Sequence, residues 1–328
     1  MFVEYKAASL WYGSLVSDYI YPTLDPRYIQ LEAKQGVARR AAFYLIEHGD
    51  FFFYLGGYIT SVGEIMDFET PRGYGGVLTN ISDKNMLAVL RDECEMAFFK
   101  KGVLCAFIRN IPLFDNHLQL GLESWRDRET IAIDLSVTDL LQSYKTRTRT
   151  AIRKAQKNLV TIRVAQSPND WRDFAELYQR RMHQLCADSE YFYSLDYFLS
   201  LADYESAHLY LAERDGELLA GCIILRQSNI SEYHLSASTQ SGMKYAATQA
   251  CVHFSAEDSQ STGAKYMHLG GGLTDEDNDP LLFFKQGFSN CRFSFYISRW
   301  IFNQDSYCAL KDEYRCNGKP VNRVIFYR

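Results

Sequence analysis

Short apolar runs alternate along this chain with stretches whose apolar residues recur at helical spacing. Residues 1–40 read as helical and irregular, interrupted by Pro22 and Pro26, with 26–36 a short helix. Residues 41–46 and 51–55 flank His48-Gly49-Asp50, the pattern of a hairpin with glycine in its turn, and 58–66 extends that sheet. Leu87, Leu90, Cys94, Ala97 and Phe98 predict a helix that Ser82 caps and Gly102 stops. Residues 103–108 and 130–135 read as strands. Ser136 and Asp139 read as the capping pair of a helix running on to Lys157.

The second half is more regular. Ser167-Pro168-Asn169-Asp170 supplies a cap, a proline at the first helical position and a first-turn acid for a helix to about residue 186, and Ser194 opens another. Strands follow at 208–213, 218–226 and 231–238, with Asp215-Gly216 as a hairpin turn between the first two. A helix over 245–261 leads to an apolar run, 264–269, which ends in Gly270-Gly271-Gly272. The order is two helices, three antiparallel strands, helix, strand, helix, strand, and the first half looks like a looser copy. The expected fold is α/β (α+β): two tandem lobes, 1–160 and 161–328, each a mixed, mostly antiparallel sheet flanked by helices.

Composition narrows the class. A chain of 328 residues, 47% hydrophobic and 23% charged, is globular with ample core. A net charge of −5 argues against a protein coated for non-specific nucleic-acid binding but leaves room for a local basic patch. The eight cysteines form no CxxC pair and the seven histidines no metal-ligand spacing, so reduced thiols, no metal and a cytoplasmic location are expected. No signal-peptide pattern opens the chain, and no run reaches the ~18 apolar residues of a membrane span.

Three stretches carry candidate chemistry. After the glycine triplet comes an acidic loop (Asp275, Glu276, Asp277, Asp279), then Leu281-Leu282-Phe283-Phe284-Lys285-Gln286-Gly287-Phe288. Consecutive glycines let backbone approach a ligand or another segment closely, and a lysine in an apolar run either snorkels to solvent or has its charge used. The segment 145–157 holds Lys145, Arg147, Arg149, Arg153, Lys154 and Lys157 with no acid among them; it is either a solvated face or an anion-binding one. The loop Thr70-Pro71-Arg72-Gly73-Tyr74-Gly75-Gly76-Val77 turns a corner or builds a cleft wall.

These pieces, taken in order, resemble the FemABX-like peptidyltransferases and the related BioF2-like acetyltransferase domains, which are tandem GNAT folds. The resemblance rests on Tyr74-Gly75-Gly76, on 107–113 with Asn116, on the basic segment 145–157, and on Tyr178, Met182, Tyr191 and Phe192. It continues through His234-Leu235-Ser236-Ala237-Ser238, His268-Leu269-Gly270-Gly271-Gly272, and Asp279 with Phe284, Lys285 and Phe288. It implies acyl transfer to an amine, with Lys285 near the transferred group. Physically, Lys285 would stabilise the oxyanion of a tetrahedral intermediate and Asp279 act as base or orienter of the amine. Holding amine and activated acyl group together supplies much of the rate, so no nucleophile is needed. Tyr74, Gly75, Arg109, Asn116, Arg149, Arg153, Tyr191, His234, Ser236, Gly270, Gly271 and Gly272 are the expected substrate-binding positions.

The implied activity is N-acyltransfer to an amine on a nucleotide- or lipid-linked cell-envelope precursor of peptidoglycan or polysaccharide, by a cytoplasmic protein that can act at the inner membrane face. The donor is aminoacyl-tRNA or acyl-CoA, with no tightly bound cofactor. A coenzyme A pattern at 238–247 would need small residues where Met243 and Tyr245 stand. Two alternatives remain: an acyl-CoA-dependent N-acetyltransferase acting on an amino sugar or amino acid, and a non-catalytic nucleic-acid-binding module of the same fold.

Overall fold

The computed structural model describes residues 1–276 and 278–328; Asp277, read above as part of the acidic loop, lies outside the described residues. In chain order the elements are β1 (Phe2–Val3), α1 (Tyr5–Tyr12), α2 (Pro26–Ala33), β2 (Arg39–His48), β3 (Phe51–Val62), β4 (Ile65–Glu69), β5 (Val77–Thr79), α3 (Lys84–Lys100), β6 (Val103–Arg109) and β7 (Glu123–Asp134). There follow α4 (Leu140–Ser143), α5 (Thr146–Lys157), β8 (Thr161–Val164), α6 (Pro168–Gln184), α7 (Leu195–Ala202), β9 (Ala207–Arg214), β10 (Glu217–Gln227) and β11 (Ile230–Ser238). The chain ends with α8 (Gln240–Tyr245), α9 (Ala247–Ser261), β12 (Tyr266–Gly271), α10 (Pro280–Lys285), β13 (Cys291–Ile301) and α11 (Gln304–Cys316).

Two compact units result: residues 1–19, 23–127 and 294–328, and residues 20–22 and 128–293. The boundary expected at 160 is not where the units divide. The basic helix α5 belongs to the second unit and the C-terminal segment to the first, because pairing rather than chain order decides membership. Ile297–Ile301 pairs antiparallel with β6, and the end of β7 pairs antiparallel with β12.

Within the first unit, β1 pairs with β2, the strands β2, β3 and β4 run antiparallel, and β6 lies parallel to β4. The second unit repeats this order: β8 pairs with β9, the strands β9, β10 and β11 run antiparallel, and β12 lies parallel to β11. Two helices precede the antiparallel strands in each, and a further helix, α3 or α9, sits before the parallel strand. The repeat is therefore one of topology.

Turns and caps explain most boundaries. Gly49 takes φ +60° at the β2–β3 turn, which only glycine adopts without strain. The cap of α3 is Asp83, whose carboxylate accepts from Met86 N, rather than Ser82. Ser167 and Asp170 form the expected reciprocal box at α6. Residues 58–66 are not one run: β3 continues to Val62, turns at Gly63 and returns as β4. The helix expected from Ser136 to Lys157 is two helices. Asp139 alone caps α4, Ser136 bonds Asp134 instead, and Tyr144 and Lys145 are extended between α4 and α5.

Each unit packs one face of its sheet on a helix. In the first, Phe98 on α3 is fully buried among Tyr44, Phe68, Phe302 and Phe2. Truncating such a ring costs about 3–5 kcal/mol. In the second, Cys251, Val252 and Ala256 on α9 pack on Cys222, Ile224 and Met267.

Candidate active site

In the second unit, β11 and β12 pair only over Ile230–Glu232 and Tyr266–His268, while β11 runs on to Ser238. Beyond Glu232 and His268 the two strands part. On its other side β12 shifts register against β7 between His268 and Gly270, and Gly270 takes φ +75°. The glycine triplet is thus where β12 breaks out of regular pairing. A Cβ at Gly271 would come within 2.7 Å of the Glu129 carbonyl oxygen, and one at Gly272 within 2.6 Å of Asp279 Oδ1. Arg128 donates to the carbonyls of Gly272 and Leu273, both at 2.8 Å.

Asp279 anchors the loop that follows. Its Oδ2 accepts from Leu273 N (2.8 Å), Thr274 N (3.0 Å) and Thr274 Oγ1 (3.3 Å), and its Oδ1 accepts from Leu282 N (2.8 Å) as the cap of α10. Burial works to raise its pKa, but these backbone donors prevail and hold the carboxyl below its ordinary value. Pro280 at the first helical position completes the start signal.

The α10 helix is short, and Lys285 in its last turn points back to β12. Lys285 is 7% exposed, and Nζ donates to the Gly271 carbonyl oxygen at 2.7 Å. Burial lowers its pKa to about 7; nearby Asp279 and Glu232 oppose the shift, and Arg128 adds to it. His268 lies fully buried beside this arrangement, one ring nitrogen 3.0 Å from Tyr21 Oη and the other 3.0 Å from Thr130 Oγ1. Its pKa falls to about 3 through burial and the charge of Lys285, so the ring is neutral. A titratable ammonium thus stands where two strands of the sheet diverge. Such a group can place positive charge on a developing oxyanion.

The other sequence-derived positions fall into separate groups. His234 and Ser236 lie on the part of β11 that β12 leaves unpaired. His234 Nε2 is 2.7 Å from Tyr197 Oη, and burial depresses its pKa to about 3; Ser236 accepts from Tyr233 Oη. Tyr191 is 41% exposed at the end of a single 3-10 turn, Ser189–Tyr191. On α5, Arg149 donates to the Gln142 and Tyr144 carbonyls at 3.2 and 2.5 Å, closing the break between α4 and α5, whereas Arg153 is exposed.

In the first unit, Gly75 N donates to Arg109 O at 2.6 Å, and Asn116 uses its whole amide on backbone: Nδ2 to Gly75 O and Val77 O, Oδ1 from Ile111 N. Arg109 donates to Thr70 O and pairs with Glu69 at 3.1 Å, and the Tyr74 ring meets Phe295 edge-on. These contacts build the 70–77 loop. At 238–247, Thr239 Oγ1 accepts from Gly242 N as the cap of α8, and Gly242 is pressed against the Leu219 carbonyl. Arg128, Tyr21 and Thr130 were not singled out from the sequence; each lies far from the glycine triplet in the chain, and no motif marks it.

Among the described residues no group of His, Cys, Asp and Glu is placed to hold a metal ion, and no helix is long and apolar enough to cross a membrane.

Residues 142–278 match the family model described as an acetyltransferase (GNAT) domain. The repeated topology extends the likeness to both units, as two tandem GNAT-like folds. The crystal structure of FemX is similar at a TM-score of 0.72 and 15% identity, covering 94% of this chain and 99% of that one. The C-terminal domain of a putative lysylphosphatidylglycerol synthetase from Agrobacterium fabrum is similar at 0.61 and 13%, covering 94% and 96%. L-PGS from Bacillus licheniformis is similar at 0.55 and 15%, covering 86% and 90%. At these identities the likeness is one of fold. No curated protein matches the sequence.

Proposed function

We propose that this chain is an N-acyltransferase that moves an acyl or aminoacyl group onto the amine of a nucleotide- or lipid-linked cell-envelope precursor. The reading places it in the cytoplasm, with access to the inner membrane face. The observation that carries it is Lys285, a buried lysine with a pKa near 7 held against Gly271 where β11 and β12 separate. In this reading protonated Lys285 stabilises the oxyanion formed when the amine attacks the acyl carbonyl, and approximation supplies the rest. Asp279, with both oxygens engaged by the loop, has a positioning role instead of serving as base.

Aminoacyl-tRNA is the favoured donor. FemX, the C-terminal domain of a putative lysylphosphatidylglycerol synthetase and L-PGS share the fold, and α5 presents exposed Arg153, Lys154 and Lys157 without an acid. Acyl-CoA is the second reading, favoured by the acetyltransferase description of the model matching 142–278. Against it, Gly242 N at the start of α8 is already bonded to Thr239. Incubating the protein with charged tRNA or acetyl-CoA and an amine-bearing envelope precursor, then weighing the precursor by mass spectrometry, tests both. Mass added from neither donor would overturn the reading.

A further inference from the structure

The first unit's sheet buries apolar residues against α3 on one face; on the other, Phe52 and Tyr54 pack on Trp11 of α1 and polar residues gather at the opposite end of the strands. Arg39, Thr60 and Asp67 stand abreast on β2, β3 and β4, with Tyr58 and Glu69 in the next row. Buried polar groups on such a face are ordinarily hydrogen-bonded throughout, and most of these are. Arg328 binds Asp67 and Glu69. Arg109 binds Glu69 and the Thr70 carbonyl. Glu32 on α2 accepts from Arg72 N.

Two neighbours are not satisfied. Arg39 Nε is buried with no hydrogen-bond partner, and the closest carboxylate oxygen to its guanidinium, on Glu69, is 3.9 Å away. Thr60, its partner across the β2–β3 pair, is only 7% exposed, and its hydroxyl has no partner either. The Arg39 guanidinium lies 4.3 Å over the Tyr58 ring, and glycine at 36 leaves it room, since a Cβ there would come within 2.7 Å of Nε. Its side chain is 18% exposed, so one edge reaches solvent. The side chains of Arg39, Arg109 and Arg328 face those of Asp67 and Glu69, three guanidinium groups to two carboxylates.

We propose that Arg39 and Thr60 form a binding site for one oxyanion group, the phosphate or carboxylate of a small ligand. Arg39 supplies a positive charge and an N–H donor, and Thr60 a hydroxyl donor. Asp67 and Glu69 hold the neighbouring arginines in place and keep the site's net charge low, which suits a single anionic group. The proposal is independent of the transfer chemistry assigned to Lys285.

The test uses the full chain and nitrogen–proton NMR of arginine Nε–H groups. Inorganic phosphate and acetate are titrated separately at constant ionic strength. One Nε resonance, absent in Arg39→Lys, is expected to shift saturably, and binding to weaken about tenfold or more in Arg39→Gln and in Thr60→Val. Lys285→Ala should bind as the wild type does. Tighter phosphate binding would assign a phosphorylated ligand, tighter acetate binding a carboxylate. Saturation by neither ion overturns the proposal, as do variants that bind like the wild type. Should Arg39→Gln fail to fold, Thr60→Val decides alone.

Discussion

Lys285 Nζ donates to the carbonyl oxygen of Gly271 at 2.7 Å, joining the last turn of α10 to the last residue of β12. The bond fixes the ammonium beside the divergence of β11 and β12, and burial brings its pKa from 10.5 down to about 7. If the protonated form stabilises the oxyanion, kcat/KM acquires a descending limb as pH rises through about 7. Lys285→Arg, charged at every accessible pH, should lose that limb even where it also loses rate. A pH–rate profile of the two proteins checks this.

The same group has the opposite effect on stability. Its folded pKa lies below its unfolded one, so between about 7 and 10.5 the unfolded chain binds the extra proton. Its contribution to stability therefore rises with pH across that window and is lost as pH falls toward 7. Lys285→Met, which has no charge to bury, should gain stability relative to wild type near pH 7 and lose that advantage near pH 10. Urea unfolding at both pH values reads the difference.

Asp279 holds the 272–279 loop and caps α10 with one carboxylate. Asp279→Ala removes the cap and leaves the Leu273 and Thr274 N–H groups without it, a loss of about 1–2 kcal/mol or more. Because its folded pKa lies below the ordinary value, the wild-type contribution should be present above the unfolded carboxyl pKa and lost as pH falls through the folded one. Denaturant midpoints for the pair of proteins from neutral to acid pH give both signs.

Arg149 and Arg153 separate a structural arginine from a solvent-facing one. Arg149→Ala uncovers the Gln142 and Tyr144 carbonyls at the α4–α5 break and should cost about 1 kcal/mol. Arg153→Glu should leave stability within about 0.5 kcal/mol. It should weaken tRNA binding and lessen its salt dependence. Thermal unfolding with filter binding over a salt series distinguishes them.

Gly242 has no room for a side chain: a Cβ would stand 2.2 Å from the Leu219 carbonyl oxygen and 2.5 Å from Ser238 Oγ. Backbone cannot yield as a flexible side chain does, so Gly242→Ala should cost about 1–3 kcal/mol by overpacking. Unfolding by urea checks it.

Local signals made most elements legible. The Ser167–Asp170 box, the Asp215-Gly216 turn and the glycine at 49 each act within a few residues, and the structure has them where the sequence placed them. The division into units was not legible, because β13 leaves the chain order and returns to pair with β6. The break at Tyr144–Lys145 was hidden for a similar reason: the carbonyls it exposes are satisfied by Arg149, a side chain that reads as surface charge. The glycine triplet with Lys285 and Asp279 was visible as a motif, and the structure brings those residues together. Arg128, Tyr21 and Thr130 were not visible, since each reaches His268 or the triplet from a distant part of the chain. Asn116 and Arg109 read as binding residues through the resemblance, with closing the loop after a strand as the other reading; in the structure their groups bond the 70–77 loop and Glu69.

The central claim is that this chain transfers an acyl or aminoacyl group and that Lys285 serves the transfer. The most direct measurement is single-turnover transfer from charged tRNA, and in parallel from acetyl-CoA, to an amine-bearing envelope precursor, comparing wild type with Lys285→Met. The account predicts a modified precursor with wild type and a rate lower by about a hundredfold or more with the variant at neutral pH, donor binding being unchanged. Equal rates for the two proteins, or no product from either donor with wild type, would contradict it.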